Sequence, residues 1–216
     1  MSDTGEVGSI PTTTGPVWRT IAIADGTPAV EFARAGGDRA TGSFAAFVRF
    51  PAGWSRPHTG RYEVDEELLV LEGALEMSGA VYREGDHAFF PAGFVRARSR
   101  TPQGALVAAF FSGPADWTRL DEAARTTPVP PLASGELAPS ASPIAPRARL
   151  LREHPRGATW LVEGPLAARA PRDMSVEILS LPTAAWAQVA HGAPIPEMQG
   201  PTLCRLRRVD PDLSDI

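Results

Sequence analysis

Between Phe44 and Ser112 one pattern repeats: an apolar run of five to eight residues, a Gly or Pro turn, and another run. ELLVLEG, ALEMSGAVYREG, HAFFPAG and ALVAAFFSG are successive instances. No stretch of useful length carries helical periodicity, so the segment is read as short strands joined by tight loops. The rest of the composition agrees. The 216 residues include 20 Gly and 22 Pro, well above the usual share of about 12%. The expected fold class is all-β.

Charge and cysteine content remove several function classes. Twenty-one cationic residues against 25 acidic ones give a net charge of -4, and there is no polybasic stripe, so a nucleic-acid partner is not expected. Every cation is Arg, and Lys and Asn do not occur; we read this as coding bias, and it rules out Lys-dependent chemistry. Cys204 is the one cysteine, which leaves no intramolecular disulfide. The N-terminal MSDTGEVGSIPTTTG lacks a signal-peptide pattern, and the longest apolar runs, such as Ala105 to Phe111, fall far short of the ~20 residues of a membrane helix. A cytoplasmic protein with no membrane partner is expected. G-x-S-x-G, a phosphate loop, a Cys pair and H-E-x-x-H are all missing from the sequence, so hydrolase, nucleotide and zincin readings have no support. Cys204 reads as a buried, inert thiol, and the five Trp as core or barrel-mouth residues.

Four segments are expected. Residues 1–16 are polar and read as a flexible arm, and 17–125 form the main barrel. Asp116 to Arg125 (DWTRLDEAAR) is its helix candidate, with an acidic N-cap. Residues 126–148 hold six Pro among Ala and Ser, which is linker composition. Residues 149–216 show strand-like runs at 159–162, 176–181 and 203–209, and this segment is expected to pack on the first barrel because so short a piece buries little surface alone.

The stretch Pro51 to Gly113 resembles the cupin superfamily, RmlC-like, in wording closest to its ChrR-like anti-sigma-factor branch. Gly53, Glu66 and Gly73 match the first cupin motif, with six residues between the last two. Gly85, Pro91 and Gly93 match the second in register. The resemblance implies a double-stranded β-helix, or jelly-roll, barrel in a bacterial protein. It also implies a homodimer, since barrels of that branch pair strand edges between subunits. Arg149 to Gly164 and the VAHGAP turn (Val189 to Pro194) are similar to parts of a second repeat, so residues 149–216 read as a truncated, degenerate one, with His191 as a structural remnant. The helical zinc domain of the anti-sigma members has no counterpart in the sequence.

The metal motif departs from the family pattern. Where its two first-motif His should stand, at 59 or 60 and at 61 or 62, the sequence has Thr59, Gly60, Arg61 and Tyr62. His58 lies one residue outside that window, within reach of a bulge. The second-motif His position holds Arg96, and a guanidinium has no acceptor lone pair with which to ligate a cation. Since such metals take three or more His and carboxylate ligands, no bound metal cofactor is expected. Should a divalent transition metal be present, its ligands would be His58, Glu66, Glu63 and His87. A buried Glu66 needs compensation, and an ion pair with Arg96 is the expected substitute. That pair could simply plug the barrel, or Arg96 with Arg98 or Arg61 could receive an anionic small molecule. Glu66, Arg96, Arg61, Tyr62, His58 and Trp54 are the candidate ligand-pocket residues. Two functions stay open: a non-catalytic or sensory small-molecule-binding cupin, and a metal-dependent cupin enzyme of the dioxygenase or isomerase class.

Overall fold

The computed structural model describes residues 16–121, 142–154 and 157–208. The expected N-terminal arm, most of the Pro-rich stretch and the C-terminal tail lie outside them. The chain divides into two compact units, one holding 16–121 and the other 142–208. All sixteen named elements are β-strands.

The first unit is a curled antiparallel sheet in the order β1-β2-β3-β10-β6-β9-β4. Its strands are β1 (Arg19–Ile21), β2 (Val30–Gly37), β3 (Phe44–Phe50), β4 (Trp54–Arg56), β6 (Glu66–Met77), β9 (Ser99–Thr101) and β10 (Ala105–Phe111). Also paired with β6 are β7 (Ala80–Arg83) and β8 (His87–Phe90), while β5 (Gly60–Tyr62) pairs separately with β11 (Trp117–Arg119).

The twelve-residue β6 organises the barrel. Its first half pairs with β8 and its second with β7 and β9. Along β10 the register slips between Leu106, opposite Glu72, and Val107, opposite Val70. Leu71 is therefore an extra residue, and such a bulge bends a strand and sharpens its twist. This lets one strand serve both walls. Gly73 follows at φ 73°, and the backbone of Gly104 lies so close that an added Cβ would meet its carbonyl oxygen. Only glycine fits there. The inner face closes on Val48, Leu68, Val70, Tyr82, Phe90, Val107 and Phe111 with Trp54 and Tyr62, all buried.

Two sequence expectations are corrected. The DWTRLDEAAR segment does not begin a helix: Trp117–Arg119 pairs with β5, Trp117 opposite Tyr62. The reason is tertiary. The Trp117 ring packs edge-on against Tyr62, centroids 5.2 Å apart, and over Gly60, which outweighs a weak local preference. Strand β2 was not among the expected runs, because Arg and Gly interrupt it and its buried residues, Val30 and Ala33, stand three apart rather than in alternation.

The second unit is a five-stranded antiparallel sheet in the order β12-β13-β16-β14-β15, with β12 Ala148–His154, β13 Gly157–Val162, β14 Met174–Ser180, β15 Trp186–Val189 and β16 Thr202–Arg208. Ile144, Trp160, Val162, Val176, Ile178 and Leu206 belong to its own apolar cluster. Packed structure thus begins before residue 148, at the fully buried Ile144. His191 stands exposed beside the Gly192 turn.

Cys204 is fully buried in this cluster, and burial pushes its thiol up to about 12, against a smaller opposing effect of the Thr202 hydroxyl. The thiolate is the reactive species. We expect the native protein to resist iodoacetamide at pH 8 and to take up one equivalent once unfolded in urea. Mass spectrometry reads this, and rapid native labelling would contradict the burial.

Candidate functional site

The two motif segments meet through the backbone. Gly60 and Arg96 exchange N–H···O bonds of 3.0 and 2.8 Å, and the Gly93 N–H donates to the Tyr62 carbonyl at 2.8 Å. The turn at Pro91 closes by Phe94 N–H donating to Pro91 O at 3.0 Å, with Gly93 at φ 77°. Arg96 is thereby fixed beside the start of β6, where Glu66 points from the buried end of the strand.

Arg96 Nη1 donates to Glu66 Oε2, and the residues are 5% and 7% exposed. The Arg96 guanidinium carbon also lies 4.7 Å from the centre of the Tyr62 ring and 4.7 Å from that of Phe90, positions at which each ring face attracts the cation. Its charge extends to Tyr82. Burial pushes the Tyr82 phenol up to about 12, and the Arg96 guanidinium pulls it the other way.

A second buried cation, missed in the sequence, completes the cluster. Arg56 is 4% exposed, and its Nη2 donates to the Tyr62 hydroxyl at 3.1 Å. Its guanidinium carbon lies 4.0 Å from the Trp117 ring centre, 5.7 Å from Tyr62 and 5.9 Å from Trp54. Arg56 falls outside the family's ligand spacing, and so escaped notice. The available signal was period two: in β4 both Trp54 and Arg56 are buried while Ser55 is only half so.

The remaining candidates disperse. Arg61 alternates with buried Gly60 and Tyr62, so its side chain leaves the interior and its Nε donates to Glu63 Oε1 at 2.7 Å, both partly exposed. Arg98 is exposed. His58 Nδ1 accepts from Arg119 Nη2 at 2.9 Å. His87 is fully buried, but its Nε2 bonds Glu67 Oε1 at 3.0 Å. Since Glu66 and Glu67 are successive strand residues, they face opposite sides of β6.

The comparisons give the fold. No family model and no curated protein matches the sequence. A candidate dioxygenase from Nostoc punctiforme matches with TM-score 0.63 and 17% identity, over 100% of this chain and 83% of that one. AerE from Microcystis aeruginosa matches with TM-score 0.55 and 10% identity over 91% and 99%. An RmlC-like cupin from Ralstonia eutropha matches with TM-score 0.41 and 14% identity over 54% and 74%. The chain has the cupin fold. Among the described residues the chain places no group of three or more His, Cys, Asp or Glu where it could hold a metal ion. The donors do not fit a cupin metal: the guanidinium at the second-motif ligand position supplies a cation where the metal would stand, and it uses Glu66 as its partner.

Proposed function

We propose that this cupin is a non-catalytic, small-molecule-binding protein of sensory type, in which an ion pair has taken over the structural place of the metal. The Glu66–Arg96 pair carries the reading. It neutralises the carboxylate that a cation would otherwise balance, and it removes the open coordination positions on which metal-assisted chemistry depends. The Nostoc punctiforme neighbour bears a dioxygenase name. That chemistry needs a ligand set, and His58, Glu63 and His87 are each engaged with another partner here, Arg119, Arg61 and Glu67.

Protein purified without added metal should contain well under one equivalent of Fe, Mn, Zn or Ni per chain by elemental analysis. Stoichiometric metal lost on Glu66→Gln substitution would overturn the reading and restore the metal-enzyme one. A small-molecule thermal-shift screen supplies the positive arm, because a ligand that binds only the folded state raises the melting temperature with concentration.

A further inference from the structure

We propose that the barrel's ligand is a small carboxylate with an otherwise apolar body, received by Arg56. This rests on the small-molecule-binding reading above and specifies its ligand.

The inner cluster is out of charge balance. Arg56, Arg96 and Glu66 are all buried, and the carboxylate is taken by Arg96. Among the described residues no carboxylate pairs with Arg56; its neighbours are the Tyr62 hydroxyl and the Trp117, Tyr62 and Trp54 rings. Asp25, which meets the same Trp117 ring, accepts from Trp117 Nε1 at 3.0 Å and lies 4.0 Å from Arg119. A buried cation is expensive without an anionic partner, and ring faces and one hydroxyl offset only part of that cost.

Unused donors accompany the excess charge. Arg56 Nε, Arg96 Nε and Trp54 Nε1 are buried without a hydrogen-bond partner. Buried donors of this kind call for an acceptor. The two guanidinium carbons flank one aromatic residue, at 5.7 and 4.7 Å from the Tyr62 ring centre, so the donors share a neighbourhood. One anion with two oxygens suits a forked donor and supplies the missing single negative charge. A dianion would overshoot the balance. The surrounding inner face is apolar and aromatic, so a second polar group on the ligand would be buried unpaired.

Isothermal calorimetry and thermal shift on the full chain, with butyrate and benzoate against butyramide and benzamide, test this. At least one carboxylate should bind saturably and its amide should bind at least ~10-fold more weakly, in line with a charge-assisted bond. Arg56→Gln should lose at least ~10-fold in carboxylate affinity, and Arg56→Lys, which keeps the charge but not the fork, should fall between. If Arg56→Gln fails to fold, the Lys variant carries the comparison. Equal binding of acid and amide, or unchanged affinity in the Arg56 variants, overturns the carboxylate proposal and leaves the small-molecule reading standing. Silence from both carboxylates overturns it as well. Failure of every acid, every amide and the wider neutral screen would take down the broader reading too.

Discussion

Arg96→Met and Glu66→Leu should each destabilise the protein by about 3–5 kcal/mol, while the double variant should recover much of that loss. Each single change strands its partner's charge in a low-dielectric interior, with the residues 5% and 7% exposed. The double change leaves two apolar side chains of similar volume among Tyr62, Phe90 and Tyr82. Recovery should be incomplete, because Met lacks the attraction that holds the guanidinium against two ring faces. Urea denaturation of the wild type, both singles and the double gives the coupling energy directly. Additive losses would show that the two charges do not depend on one another, and would leave Arg96 answering to some other anion.

The pair was legible because cupin spacing fixes which residues face one another across the barrel mouth, whatever their chemistry. Pro91 and Gly93 set the turn that delivers position 96, and the Gly60–Arg96 backbone bonds are the physical form of that spacing. Arg56 was not legible in this way. It lies between two motif positions on a three-residue strand, where burial depends on the ring of Trp117, 61 positions along the chain. Sequence separation hid the partner that makes the site. The same ring explains the misread helix: DWTRLDEAAR has local helical signals, but Trp117 gains more by covering Gly60 and Arg56 from a strand. Arg61 failed for a simpler reason. Spacing put it at a ligand position, but alternation along β5 turns its side chain outward beside Glu63.

Gly73→Ala should be among the most damaging single substitutions in the barrel, costing about 3 kcal/mol or more. Two effects add. At φ 73° any residue with a Cβ pays roughly 1–2 kcal/mol for the left-handed conformation, and the new methyl would also collide with the Gly104 carbonyl oxygen. That carbonyl cannot simply retreat, because it accepts from the Ala74 N–H at 3.3 Å while the Gly104 N–H donates to Thr101. Moving it would disturb the bulged join of β6 and β10 on which the jelly-roll turns. Gly93→Ala is the internal control. Gly93 has nearly the same φ, 77°, yet nothing lies within 4 Å of where its Cβ would stand, so only the conformational cost applies. Urea melts of the two variants should differ by at least about 1 kcal/mol in stability, with Gly73→Ala the weaker. Equal losses would mean that strain alone matters and that the close approach of Gly104 relaxes freely; a larger loss at Gly93 would mean that the Pro91 turn, not the β6 bend, holds the barrel closed.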